Sequence, residues 1–219
     1  MTCLSTVARA AGLGAARRRG VTLIEAVLYI SIALALIVGG LVFFQQASLA
    51  QRTNSAVRNI SAIASEVRGL YQGSISFANL EEVALIRAGA VPSSMVDGTT
   101  LVNEWGGTVS VRSSIEQTNG AQTWRANSGF SITYENVPEA ACVRLTNADI
   151  TGTGRAGSGI RAIGFSAPSY SAPASPGPIT GVVAHWAFEG DLTPDNVALL
   201  CRGAANLGTT VDINYWFDR

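Results

Sequence analysis

The feature that most constrains this chain is a run of nineteen residues without a charge, from Ala26 to Phe44. The neutral residues Val21–Ile24 precede it, so that Glu25 is the one charge within residues 21–44. With a helical rise of about 1.5 Å per residue, such a segment covers the hydrocarbon core of a bilayer, which is about 30 Å thick. The run therefore predicts a membrane-spanning helix.

The charges are distributed unevenly on the two sides of this run. The first twenty residues contain four arginines, three of them at Arg17–Arg19, and no acid, whereas the rest of the chain has eleven arginines and fifteen acidic residues. Basic residues next to a span face the cytoplasm, which predicts a cytoplasmic N-terminus and places everything after Phe44 outside. The acidic remainder lacks the basic patch that nucleic acid requires, and we predict no nucleic-acid partner. The chain has no lysine, which excludes Walker-type phosphate loops and Schiff-base chemistry.

The order of the basic and apolar segments differs from that of an ordinary secretory signal, in which the apolar core precedes the cleavage site. Here the basic segment ends at Gly20 and the apolar run follows, so a cut after Gly20 would leave the span on the mature protein. The string Arg19-Gly20-Val21-Thr22-Leu23-Ile24-Glu25 resembles the class III leader of type IV pilins and pseudopilins. That resemblance implies a leader at 1–20, cleavage between Gly20 and Val21 by prepilin peptidase, and N-methylation of Val21.

Glu25 is energetically unfavourable in a membrane-spanning helix, since a charge at mid-helix costs about 2.5 to 3.5 kcal/mol unless it has a partner. Cleavage after Gly20 would create a cation four residues away, the α-amino group of Val21, on the same helical face. The resemblance to pilins implies that Glu25 pairs with this amine of a neighbouring subunit during assembly. The alternative is that Glu25 lies near the membrane interface and extends to water.

The helical pattern continues beyond the span, because no proline occurs from Val21 to Val91. Apolar or small residues recur at alternating spacings of four and three, as expected for one buried stripe on a helix: Leu49, Thr53, Ala56, Ile60, Ile63, Val67 and Leu70. We therefore predict an N-terminal helix over 21–72, with 21–44 as transmembrane segment or filament core and 45–72 as an amphipathic half. Packing on its own head domain is favoured over a coiled coil, since the repeat is short. Gly39-Gly40 is a weak point of the helix. The pair either allows close packing between helices through small residues or, as the resemblance to type IV pilins suggests, lets the helix melt when the subunit leaves lipid.

The remaining residues, 73–219, predict a globular α+β head. Asn79–Glu82 has the pattern of a capping box before a helix Leu80–Ala88 that ends at Gly89. Thr108–Arg112 and Phe130–Glu135 alternate like an antiparallel pair of strands, with a turn at Asn119-Gly120. A helix is expected after Pro138 through Cys142 and Leu145. The other expected elements are a strand at Val182–Phe188, a helix from Pro194 to Cys201 that stops at Gly203, a last strand at Thr209–Phe217 and an exposed loop at Ala167–Gly181.

The cysteines bear on the compartment. Cys3 would leave with the leader, and Cys142 and Cys201 remain as an even pair on the side where disulfides persist. A disulfide closing this loop of about sixty residues should stabilise the fold by roughly 4 kcal/mol. The rival interpretation is a free thiol or a metal pair, but His185 is the single histidine and no metal site is predicted.

Further stretches resemble the type IVb class of pilins, which includes the toxin-coregulated, bundle-forming and conjugative thin-pilus pilins. They are Gly20–Glu25, Gly89–Pro92 through Asn103–Gly107, Ala141–Leu145 and Leu200–Ala204. The resemblance implies the type IV pilin fold, in which a long N-terminal helix packs on an antiparallel sheet with short flanking helices.

The same resemblance implies a major pilin, a structural subunit that polymerises with itself into an extracellular filament for adhesion, aggregation or conjugation. Its expected partners are other copies of the chain, prepilin peptidase, the inner-membrane assembly platform and, before assembly, the inner membrane. The alternatives are a minor pilin or tip adhesin with a receptor-binding head, and a pseudopilin of a secretion system. No catalytic residue or cofactor is predicted, because pairs such as Glu81-Glu82 are typical of helix N-termini.

Overall fold

The computed structural model describes residues 22–119, 122–148, 159–166, 184–188, 193–205 and 210–218. The chain divides into two compact units, Met1–Gln45 and Gln46–Arg219. Helix α1, Leu23–Leu70, includes residues of both. The predicted long helix is thus present, and it is unbroken at Gly39-Gly40.

The second half of α1 carries the buried stripe that the spacing predicts. Thr53, Ala56, Ile60, Ile63 and Val67 are buried, together with Ala64, and Leu49 is half-buried against the core. Leu70 was also expected in the stripe, but this is wrong, since it is 51% exposed. It is the last residue of the helix, and the chain turns away there through a hydrogen bond from the Gln72 amide to the Gly69 carbonyl.

The head contains a seven-stranded antiparallel sheet in the order β1-β2-β3-β6-β9-β7-β8 and a separate two-stranded β4-β5 hairpin. The strands are β1 Val96–Asp97, β2 Thr100–Val102, β3 Thr108–Ser113, β4 Gln117–Asn119, β5 Gln122–Trp124, β6 Gly129–Pro138, β7 Ile160–Ser166, β8 Ala184–Phe188 and β9 Thr210–Asp218. The predicted pairing of β3 with β6 is present, with Val111 opposite Ile132. The hairpin was not predicted; Gly120 of the predicted turn and the loop Ala167–Gly181 lie outside the described residues.

The last strand, β9, is present, but its position could not be read from its alternation. It lies between β6 and β7 in the interior of the sheet, and nearly all its residues are buried on both faces. Beside it β6 has an irregularity between Tyr134 and Val137, where Asn136 adopts a left-handed conformation. Its amide donates a hydrogen bond to a carboxylate oxygen of the buried Asp212 on β9, at 2.8 Å. The alternating pattern of β9 indicated a strand, whereas its central place results from pairing with β6 and β7, which are distant in the chain.

In the described part of the head one turn of 3-10 helix at Ser93–Met95 and three short α-helices accompany the sheet: α2 Glu82–Ala88, α3 Glu139–Asn147 and α4 Pro194–Ala205. The prediction for the start of α2 was wrong, because Asn79 is left-handed and Glu81 at the N-cap makes no capping hydrogen bond. Burial of Leu80 explains this, since its amide bonds to the Phe77 carbonyl in a turn that precedes the helix. The predicted stop at Gly89 is confirmed by its left-handed C-cap. The predicted stop at Gly203 is wrong, because α4 continues to Ala205.

One hydrophobic core joins the elements of the head. It contains the buried face of α1, Leu85 of α2, the cysteines of α3 and α4, and the inward residues of the sheet. Phe130 and Phe217 stack on one another at a centroid distance of 4.9 Å, and Phe77 packs on Phe130 at 5.1 Å. Ile60 and Ile63 of α1 belong to the same core, which fixes the amphipathic half of α1 to the head.

Candidate functional site

The first candidate site is the helical segment 22–45, described here by itself. Its side chains are exposed apart from the half-exposed Ala26, and they include most of the exposed large apolar residues in the described part of the chain. Within α1 the most apolar window of eighteen residues has a mean hydropathy of 2.6 with none of it buried, so the helix is long and apolar enough to cross a membrane. An exposed apolar surface of this size indicates contact with lipid or with other protein chains.

Glu25 lies in the first turn of α1, and it is the one charged residue in 22–45. Thr22 precedes the helix, and its hydroxyl oxygen accepts a hydrogen bond from the Glu25 amide at 3.4 Å. A carboxylate in the first turn is stabilised by the positive end of the helix dipole. Gly20 and Val21, the predicted processing residues, lie outside the described residues, so the predicted pairing of Glu25 stays a prediction.

Tyr29 is a further residue of this site that the sequence reasoning missed. Its hydroxyl donates a hydrogen bond to an oxygen of Glu25, at 3.4 Å, from one turn along the helix. The spacing of four residues between an acid and a tyrosine is the signal that could have identified it. The contact holds the Glu25 carboxylate along one side of α1 and gives it a partner inside an apolar segment.

In the head, Cys142 of α3 and Cys201 of α4 form a disulfide, as predicted. Their Cα atoms are 6.0 Å apart, and both residues are buried. Arg202 and Glu139 form an ion pair between the same helices, at 3.6 Å, but both side chains are exposed and the pair contributes little. The covalent bond therefore dominates the connection between α3 and α4.

The loop Asn103–Gly107, between β2 and β3, is held by the side chain of Asn103. Its carbonyl oxygen accepts hydrogen bonds from the amides of Trp105 and Gly107, at 2.9 and 3.0 Å, and its amide nitrogen donates to the Glu135 carbonyl at 2.7 Å. Gly106 is left-handed, with φ +82°, and a Cβ at Gly107 would collide with the Glu135 carbonyl. This stretch was among those that resemble type IVb pilins, and the structure shows the physical reason for its residues.

Glu104, in the same loop, connects the loop to α1. Its carboxylate accepts a hydrogen bond from the amide of Asn59 at 2.6 Å, while its second oxygen is buried and has no partner among the described residues. Burial raises the pKa of Glu104, and its own backbone amide, Asn59 and the charge of Arg58 oppose that rise. Burial is the main cause that also raises the pKa of Tyr134 well above its ordinary value, and the charge of Glu104 is the second.

The strand predicted around His185 is present as β8.

The sequence comparison identifies the family. A family model described as PilS N terminal matches residues 50–207, which is most of the chain and all of the head except its last twelve residues. This chain belongs to the PilS family. Together with the relatives and the solved structure described next, this match confirms the predicted resemblance to type IVb pilins.

Two curated relatives of this PilS-family chain are described as the major structural subunit of bundle-forming pilus. They come from Escherichia coli O127:H6 (strain E2348/69 / EPEC) and Escherichia coli O111:H-. Each is 26% identical over 141 residues, which cover 64% of this chain and 68% of the relative. A solved structure, a type IV b pilin from Salmonella typhi, is also similar, with a TM-score of 0.50 and 20% identity over 76% of this chain and 99% of that one. Its likeness confirms the predicted α+β fold with a long N-terminal helix.

Proposed function

We propose that this pilin is the major structural subunit of a type IVb pilus, cleaved after Gly20 and polymerised through its apolar N-terminal helix into an extracellular filament. The proposal depends mainly on one observation: the helix segment 22–45 exposes an apolar surface in which Glu25 is the one charge. The name of the Escherichia coli relatives, major structural subunit, supports the choice of a major pilin. The organisation proposed is a leader at 1–20, the helix at 21–72 and the head at 73–219.

The driving force we propose is an exchange of one apolar environment for another. In the inner membrane the segment 22–45 contacts lipid chains, and in the filament the same surface contacts the helices of other subunits. Because helix and lipid chains are similarly apolar, the exchange is decided by packing and by polar contacts between helices. Contacts between different surfaces of successive subunits do not close on themselves, so they generate an open helical polymer.

Glu25 supplies the polar contact in this mechanism. It pairs with the N-terminal amine that cleavage creates at Val21 of a neighbouring subunit, which sets the position of each new subunit along the axis. Thr22 and Tyr29 support this role, because both contact Glu25 and hold it at the start of α1. Where water is excluded, one charge left without its partner costs several kcal/mol. Glu25 and the amine therefore have to enter the filament as a pair.

The cellular route follows from the same features. The precursor is a single-pass inner-membrane protein with a cytoplasmic N-terminus, and the head lies on the oxidising side, where the disulfide of Cys142 and Cys201 forms. Prepilin peptidase, with its N-methylase activity, and the inner-membrane assembly platform are the proposed partners before polymerisation. The head domains then cover the outside of the filament.

The decisive experiment combines mass spectrometry of sheared surface filaments with one charge variant. We expect a subunit that begins at N-methylated Val21 and makes up most of the filament protein. Glu25→Gln should leave membrane-inserted precursor at its normal level and lower sheared filament by at least about tenfold, because the amine loses its partner. The matched control is Glu66→Gln on the exposed face of the other half of α1, which should give normal filament.

Two results would contradict the proposal: subunits in filaments that begin at Met1, or normal filament from Glu25→Gln. A correct N-terminus at trace abundance would instead indicate a minor pilin or a tip adhesin, and retention of the processed chain in the cell envelope would indicate a pseudopilin.

A further inference from the structure

The contact between Tyr29 and Glu25 lies within one chain, so it exists before any neighbouring subunit is present. The Tyr29 hydroxyl donates a hydrogen bond to Glu25 Oε1 at 3.4 Å, from four residues along the helix. This spacing suits the contact, because helical side chains lean toward the N-terminus and cover the preceding turn. The proposed pairing of Glu25 with an amine requires a second subunit and a cleaved N-terminus. The two partners of Glu25 therefore belong to different stages.

Before cleavage, the N-terminal amine that the proposed function assigns to Glu25 does not exist. The nitrogen of Val21 is then part of the peptide bond to Gly20 and carries no charge. Glu25 is nevertheless followed by an uncharged apolar run. A carboxylate that has left water without a hydrogen-bond partner is costly in lipid. A precursor that remains in the membrane is thus stabilised by a donor from its own chain.

Three side-chain hydroxyl groups lie in the described segment 22–45, and one of them donates to the Glu25 carboxylate. The Thr22 hydroxyl oxygen accepts from the Glu25 amide at 3.4 Å and so caps the start of the helix. The Ser31 hydroxyl donates to a backbone carbonyl of its own helix at 2.9 Å. Within this segment the donor to the carboxylate is therefore Tyr29.

Both residues of this contact are exposed on α1, on the surface that the proposed function places against lipid. In water an exposed hydrogen bond competes with solvent, whereas in hydrocarbon this competition is absent and the bond is stronger. The contact uses Oε1 of Glu25, and an ionised carboxylate accepts about four hydrogen bonds in all. An amine can therefore be added at Oε2 without displacing the Tyr29 hydroxyl.

We infer that Tyr29 is a positioning residue that supplies the hydrogen bond of Glu25 in the membrane-resident precursor and leaves the second carboxylate oxygen for the amine of a neighbouring subunit. The inference rests on the proposed function and adds to it a stage before cleavage. In that stage Tyr29 regulates how much subunit the membrane holds for polymerisation. Its hydroxyl acts through Glu25, so its effect should vanish when Glu25 is replaced.

The test measures the uncleaved full chain in cells without prepilin peptidase, where neither the amine nor the filament is formed. Tyr29→Phe removes the hydroxyl and keeps the ring. It should lower the amount of chain that stays in the membrane after alkaline extraction by at least about threefold, because Glu25 loses its donor. The greater hydrophobicity of phenylalanine alone would give a change in the opposite direction.

Two further variants separate a role through Glu25 from a general effect of the substitution. In a Glu25→Gln background, Tyr29→Phe should cause no decrease, since a neutral side chain is far less costly in lipid than a charge. Ser31→Ala is the matched control, because it removes a hydroxyl from the same segment that does not contact Glu25. It should leave the amount of membrane-inserted chain unchanged.

A spectroscopic readout follows the contact itself. Infrared spectra of the full chain with isotope-labelled glutamate are recorded in vesicles of phosphatidylethanolamine and phosphatidylglycerol. The labelled carboxyl band that Glu25→Gln removes belongs to Glu25. Tyr29→Phe should shift this band, because the carboxyl oxygen loses a hydrogen bond, whereas Ser31→Ala should leave it in place.

Three results would overturn the inference: an unshifted Glu25 band in Tyr29→Phe, an unchanged amount of inserted precursor, and an equal decrease in the Glu25 and Gln backgrounds. Each of them leaves the pairing of Glu25 with the amine intact. That pairing is contradicted separately, by normal filament from Glu25→Gln in cells that contain the peptidase.

Discussion

The two halves of α1 belong to one helix but differ in whether their apolar side chains are exposed or buried. Residues 22–45 expose their apolar side chains and contain one charge, whereas residues 46–70 bury one stripe of small and apolar side chains and expose polar ones. A helix that is apolar all round needs an external apolar partner, and an amphipathic helix finds its partner in its own domain. The second half therefore stabilises the head, and the proposed function assigns assembly to the first half.

Removal of the disulfide should have the largest effect on the head. The double variant Cys142→Ser with Cys201→Ser should lower the free energy of unfolding by about 4 kcal/mol, because the unfolded chain regains the entropy of a loop of 59 residues. Urea denaturation of the detergent-solubilised chain can measure it by tryptophan fluorescence, since all four tryptophans follow residue 45. An unchanged unfolding midpoint would show that the head does not depend on this bond.

The sharpest test of the comparison uses the same substitution in both halves of the helix. Ile60 is fully buried and Ile37 is 58% exposed. Ile60→Ala should destabilise the head by about 3 kcal/mol through lost burial and a cavity, whereas Ile37→Ala should change head unfolding by less than about 0.5 kcal/mol. Sheared filament yield should respond in the opposite order at equal amounts of folded subunit. Similar unfolding effects of the two variants would break the comparison.

A third prediction concerns a polar contact that only the head contains. Asn103→Ala should cost about 2 kcal/mol, because two loop amides and the Glu135 carbonyl lose their partner at a buried position. Asn54→Ala on the exposed face of α1 is the control and should be nearly neutral. Equal midpoints for the two variants in the same urea titration would mean that Asn103 does not hold the loop.

The smallest expected effect is the pH dependence of Glu104. Its pKa in the folded head is raised, so the folded state binds a proton more readily than the unfolded chain, and its charged form reduces stability as pH rises through the folded pKa. Glu104→Gln, which keeps an acceptor for Asn59, should therefore slightly stabilise the head at pH 7. That advantage should disappear below the ordinary glutamate pKa of about 4.3. A constant difference between pH 7 and pH 4 would contradict this assignment.

Much of this fold was predictable because the decisive signals are local. The uncharged run and the stripe through Thr53, Ile60 and Val67 follow the helical period, and the β3 and β6 strands follow alternation. The cysteine pair followed from parity and compartment. In the candidate site, Glu25 was evident as the one charge in an apolar run, and Tyr29 could have been found from its spacing.

The sequence by itself determined the long helix, its apolar half, the strands β3, β6, β8 and β9 of the sheet and the cysteine pair, because each depends on residues close in the chain or on counting. Only the tertiary structure decided that β9 is central, that α2 starts at Glu82, that α4 passes Gly203 and that Leu70 stays exposed. It also brought Asn103 to Glu135, Glu104 to Asn59 and Arg68 to Phe217. These contacts join residues far apart in the chain, and the free energy of burying and pairing them outweighs the local preferences on which pattern reasoning depends.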